Sequence, residues 1–159
     1  MVKVIPLEIP EGTSIILGHA HFIKTVEDLY EAIVNINPGI EFGIAFNEAS
    51  QERLIRYDGN NQEMIELAIE NAKRIKAGHS FVIMLRKGWP INILNAIKMV
   101  PEVARIYAAT SNPVKVVILE EGEQAAVLGI MDGYVVKGIE EEKHKKERHQ
   151  FLRDIGYKR

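Results

Sequence analysis

Residues 80 to 85 read SFVIML, an apolar run unbroken after Ser80. A strand with one wet face alternates apolar and polar residues, so a solid run of this length predicts a central strand covered on both faces. On its N-terminal side, Met64, Leu67, Ala68, Ala72 and Ile75 recur at helical spacing after the turn Asp58-Gly59-Asn60-Asn61, and Gly78 suits the residue just past a helix end. On its C-terminal side, Pro90 fits the first position of a helix through INILNAIKM, and Pro101 stops it.

Outward from this centre, the sequence keeps switching between the two periods. VKVIPLEI (2–9) reads as a strand that Pro6 and Pro10 push toward a sheet edge, and TSIILG (13–18) as a short buried strand. Thr25 before Val26, Glu27 and Asp28 looks like an N-cap with acids in the first turn, and Leu29, Ala32, Ile33 and Ile36 form the apolar stripe of a helix ended by Asn37-Pro38-Gly39. EFGIAFNEA (41–49) and RLIRY (53–57) predict one hairpin. EVARIYAAT (102–110), VKVVILE (114–120) and AAVLGIM (125–131) predict three more strands, the last two paired. From Glu140 a charged helix is expected, with Glu141–Lys145 and Glu142–Lys146 pairs, docked by Phe151, Leu152 and Ile155 and ended at Gly156. The sum is an α/β domain over residues 1–159, a mixed β-sheet sandwiched by three or four helices.

The 159 residues suit one core, which buries roughly two-thirds of the unfolded surface at this size. A hydrophobic content of 47%, 26% charged residues and a formal net charge of −2 describe an ordinary globular chain with no global basic excess, so no nucleic-acid partner is expected. No apolar stretch approaches the ~20 residues of a membrane helix, and the N-terminus does not read as a signal peptide, so no membrane partner and a cytoplasmic location are expected. The chain has no cysteine, which removes thiolate nucleophiles and cysteine metal motifs. Abundant Ile, Glu and Lys without Cys fit a heat-adapted source.

Chemistry is sought first in LGHAHFIKT (17–25). His19 and His21 are read as pointing apart along an extended chain, and no HExxH motif or nearby carboxylate completes a ligand set, so no metal site is expected. The N-terminus of the helix at Thr25, with Lys24 beside it, offers an anion a dipole, free N–H groups and a charge, within reach of an imidazole that can attack phosphorus or act as a base. The plainer alternative is one satisfied and one solvated histidine. His79 follows a helix C-terminus, where a structural role suffices, and His144 and His149 lie on a wet helix.

Glu48, near the end of a buried strand, needs a partner. Thr110 and Asn112 sit at strand ends where ligands often meet loops, although Asn112 is equally a turn former. Asn92 and Asn95, three apart on one helix, could read a purine edge or line a subunit contact. GxxxxGK[ST], GxGxxG and the protein-kinase motifs are all missing.

The phrases GHAHFIKTVEDLYEAIVN, EFGIAFNEAS with RLIRYDGNN, AGHSFVIML, WPINILNAIKMVPEVARIYAATSNPVKVV, LGIMDG and FLRDIGYK together resemble, in order and spacing, the adenosine-specific kinase family. The family phrase near GQSHFIKT is matched with His19 for Gln and Ala20 for Ser. The resemblance implies an α/β domain in a trimer or larger homo-oligomer, adenosine or AMP as ligand, and a phosphohistidine, best matched by His21. It implies a phosphoryl transfer to adenosine, with Mg²⁺ where the donor is a nucleoside triphosphate. The alternative is a module that binds adenosine or AMP without turnover.

Overall fold

A computed structural model describes residues 1–159. Its elements in chain order are β1 (Val2–Pro6), β2 (Ser14–Ala20), α1 (Thr25–Ile36), β3 (Glu41–Asn47), β4 (Ile55–Gly59), α2 (Gln62–Ile75), β5 (Ser80–Arg86), α3 (Pro90–Lys98), β6 (Val103–Thr110), β7 (Val114–Glu121), β8 (Gln124–Asp132) and α4 (Glu142–Asp154). The α/β single-domain class holds. The strands, however, divide into two sheets, β4-β3-β5-β2-β6 and β1-β7-β8, and every pairing is antiparallel, where one mixed sheet was expected. The loop 48–54 joins β3 to β4 and a tight turn joins β7 to β8, and the helical crossovers return each strand beside an oppositely running neighbour, so no parallel pair forms.

β5 is the middle strand, as SFVIML demands, and its residues alternate between two cores. Phe81, Ile83 and Leu85 join Ile16, Leu29, Ile33, Phe42, Phe46, Ile93 and Ile97 in the core under α1 and α3. Val82 and Met84 join Ile15, Leu17, Met64, Ala68, Ala72, Val116 and Ile118 on the other face, which α2 and the three-stranded sheet cover together. Fully burying a Phe or Ile side chain stabilises by roughly 1.5–3 kcal/mol, so these two layers fix which face each strand turns inward. α2 lies directly on β3 because Gly43 has no side chain: a Cβ there would meet the backbone of Ile65 at 2.2 Å.

Three local expectations change. Thr25 is the first helical residue and not the cap; its hydroxyl donates to the Phe22 carbonyl at 2.5 Å instead of accepting from the helix, and the side chain is buried. The left-handed residue closing α2 is Lys76 (φ 47°), while Gly78 is small because a Cβ would meet that of Ala49 at 2.9 Å. The last correction concerns α4, which does not dock. It has no buried residue, Phe151 and Ile155 stay exposed, and its ion pairs are Lys145–Glu142 and Arg148–Glu140. No helix is long and apolar enough to cross a membrane.

Candidate functional site

The site forms at the end of β2 where His19 pairs with Ser80 of β5 and Arg105 of β6. Just beyond, the chain turns at Phe22, which adopts φ 93°, and the turn into β5 puts His79 at φ 65°. Backbone bonds tie these segments and the end of β3 together: Ala20 N–H donates to the His79 carbonyl at 2.9 Å, His79 N–H to that of Asn47 at 2.7 Å, and His21 N–H to that of Glu102 at 3.0 Å. Below them Asn47 Nδ2 donates to Ser80 Oγ and the Ala72 carbonyl, so the floor is fully bonded.

On this frame His19, His21 and His79 converge. Their ring centroids are 5.0, 5.2 and 6.1 Å apart, and one nitrogen from each lies within 4.8 Å of the others. The expectation that His19 and His21 point apart is thus overturned. Residues two apart on an extended chain share a face, and β2 stays in register with β5 through His19 before the irregularity against β6 after His19 and the turn bring His21 back over it. His79, assigned a structural role from the sequence, is the third member. Its ring stacks on Phe46 at 5.9 Å and 7°.

Glu48 is drawn in as well: its Oε1 lies 4.0 Å from His79 Nε2, and its Oε2 accepts from Arg56 Nε at 3.4 Å. Burial, with the neighbouring His21, His79 and Arg105 charges, holds His19 below the ordinary imidazole range, so its neutral form is favoured. A cavity of about 280 Å³ opens beside His19, between Arg105, Tyr107 and Ala125–Val127. It shares Gly78 and Ala125 with a wider depression of about 680 Å³ that Glu48, Arg53, Lys73 and Lys76 line.

Lys24 stands at the start of α1, but its ammonium lies 2.6 Å from Asp28 Oδ2 and 2.5 Å from Glu102 Oε1. Hydrogen bonds to these two carboxylates raise its pKa, and they spend the charge that an anion would need. The Glu102 carboxylate is buried, and its Oε2 has no hydrogen-bond partner. The expected anion corner is therefore an ion cluster in which the half-exposed Lys24 faces Asp28 and the buried Glu102, with the Thr25 hydroxyl turned inward.

The remaining candidates lie elsewhere. Thr110 pairs with Ile15, about 13 Å from His19 at the usual strand rise, and accepts from Asn112 N–H at 3.0 Å in the β6–β7 turn. Asn112 donates to Asp132 at 3.5 Å. Asn92 accepts from Trp89 N–H at 2.8 Å as a helix cap and donates to Tyr157 Oη at 3.1 Å, while Asn95 is exposed one turn on. These four residues are not part of the histidine cluster. Reasoning from sequence missed His79 and Arg105. The signal for His79 was its place directly before the central strand, readable only once β2 and β5 are known to be antiparallel neighbours.

Fold and site together define a single α/β domain with a three-histidine cluster at one end of its five-stranded antiparallel sheet, where His19 borders a cavity. A family profile described as "Adenosine specific kinase" matches residues 5–158, and the chain belongs to that family. It is also similar to the crystal structure of the PH1918 protein from Pyrococcus horikoshii OT3, with a TM-score of 0.95 and 46% sequence identity over 100% of this chain and 98% of that one. A comparison with curated proteins gave no match.

Proposed function

We propose that the protein binds adenosine in the cleft beside His19 and transfers a phosphoryl group to its 5′-hydroxyl through His21. The observation that carries this reading is the cluster of three imidazoles, one of which, His19, borders a cavity of about 280 Å³, in a member of this family. His21, the exposed member, attacks the terminal phosphorus of a nucleoside triphosphate: a P–N bond forms and the P–O bond to the diphosphate breaks. The 5′-oxygen of adenosine then attacks the same phosphorus, the P–N bond breaks, and a neutral neighbouring imidazole such as His19 takes the hydroxyl proton. The products are AMP and a nucleoside diphosphate.

Mg²⁺ prefers oxygen ligands in octahedral geometry. Glu48, 4.0 Å from His79, and Glu102, whose backbone carbonyl accepts from His21 N–H, both already face cations, so these residues do not build a magnesium cage. Mg²⁺ would accompany the donor's phosphates.

Self-association belongs to the same reading. Tyr134, Val135, Val136 and Ile139 are 86–93% exposed, and Val2, Val4 and Leu128 on the three-stranded sheet are also exposed. An apolar arm and an apolar sheet face of this kind fit further copies of the chain, a trimer or larger.

Phosphorus NMR of the protein with adenosine, ATP and Mg²⁺, followed beside a protein-free control, tests the reading. Growth of an AMP signal is expected. Intact ATP with adenosine bound would instead leave a module that binds adenosine or AMP without turnover, a reading favoured by the missing phosphate loop and the neutralised Lys24.

A further inference from the structure

We propose that His19, His21 and His79 together bind one divalent transition-metal ion, with zinc the best fit and a fourth position open toward the cleft. The observation is geometric. Three imidazoles from two segments, His19 and His21 at the end of β2 and His79 before β5, each offer a nitrogen within 4.8 Å of the other two. Zinc holds imidazole nitrogen at about 2.0–2.1 Å, which sets tetrahedral nitrogens roughly 3.4 Å apart. Side-chain rotations close that difference, and His21 is exposed and has room to make them.

The backbone under the ligands is already fixed. The bonds Ala20 N–H to His79, His79 N–H to Asn47 and His21 N–H to Glu102 hold the three ligand positions, so binding orders side chains alone. Phe46 stacked on His79 sets the plane of that ring. No side-chain hydrogen bond within the chain engages any of the three rings, and the only carboxylate in ion-pair range of one is Glu48, 4.0 Å from His79 Nε2. A carboxylate behind a ligating histidine is the common outer partner of a zinc site, where it orients the ring and offsets the ion's charge. Arg105, near His19, opposes a cation, and one carboxylate outside the ligand set balances it.

Three neutral nitrogen ligands and one free position describe a catalytic or regulatory zinc site, and an octahedral oxygen-preferring ion has no place there. A phosphate oxygen or a water fits the free position. A nitrogen of His21 that holds the ion has no lone pair left for phosphorus, so under the function proposed above ion binding and phosphorylation exclude each other at that nitrogen. The metal site itself does not depend on that function.

The test is a titration of tag-free protein, stripped of metal with a chelator and exchanged into chelator-free buffer, with Co²⁺ as the visible probe and Zn²⁺ as competitor. One equivalent of Co²⁺ per chain is expected, with the intense bands of four-coordinate cobalt, displaced by Zn²⁺. His19→Gln and His79→Gln should each weaken binding by more than the roughly 100-fold upper range of outer-partner changes, and Glu48→Gln by ~10-fold with the bands kept. The double variant His144→Gln/His149→Gln should titrate like the wild type. Circular dichroism separates lost ligands from lost fold. Weak six-coordinate bands, no binding, or folded His19→Gln and His79→Gln variants that titrate like the wild type would each overturn the site. None of these readouts uses adenosine, so failure of turnover and failure of the metal site are distinguished.

Discussion

His21 is the exposed one of the three clustered histidines, the other two being half-buried, and it is the one the proposed transfer uses as nucleophile. His21→Ala is expected to reduce AMP formation to background and to remove the phosphorylated species from the intact-protein mass spectrum; turnover without that species would mean direct transfer to adenosine. Lys24 makes a different prediction. Its two carboxylate partners give it a structural role, so Lys24→Met should lower the melting temperature by several degrees, because the buried Glu102 carboxylate loses its counter-charge. Adding Glu102→Gln to that variant should recover much of the loss, as read by thermal unfolding. The sequence made the positive end of α1 legible but not the acids around it, since Glu102 arrives from the loop before β6, far along the chain.

Among the elements, the tightest constraint is α2 on β3. Gly43→Ala would drive a Cβ into the Ile65 backbone, and a loss of about 3 kcal/mol is expected in denaturant unfolding, near the upper end for overpacked positions. The seam between β1 and β7 answers to pH. Lys3 at 2.7 Å and Lys76 at 2.9 Å hold the Glu120 carboxyl down to about 2, from an ordinary 4.5. Since the folded pKa is the lower one, this contribution is complete above pH 4.5 and disappears as the pH falls from 4.5 toward 2. Melting temperatures over that window should therefore fall less steeply in Glu120→Gln than in the wild type. Helix and strand positions were largely readable, because SFVIML, the α2 stripe and the turn residues each carry a local signal. Strand order is not local. Nothing near Ser80 says that it lies opposite His19, and the histidine cluster stayed hidden for that reason.

At the scale of the whole molecule, two sheets and three helices close around two cores, while residues beyond Gly133 add almost nothing to either. Tyr134 to Ile139 are bare, α4 buries no residue, and Tyr157 reaches back to Asn92 by one hydrogen bond. A chain truncated after Gly133 should thus keep its circular dichroism apart from the α4 contribution yet sediment as a monomer, whereas the full chain is expected to sediment as a trimer or larger; an unchanged oligomer would assign the contact to the three-stranded sheet instead. The alternation of β7 and β8 was legible in the sequence, but not that these strands leave β2 and β3 to make a second sheet with β1. Exposed apolar side chains on an arm that its own chain does not cover tie folding to abundance. If other copies shield the arm, each protomer's native population follows mass action: dilution strips the cover, the melting point drops with the logarithm of total protein, and the number of molecules present becomes a determinant of stability.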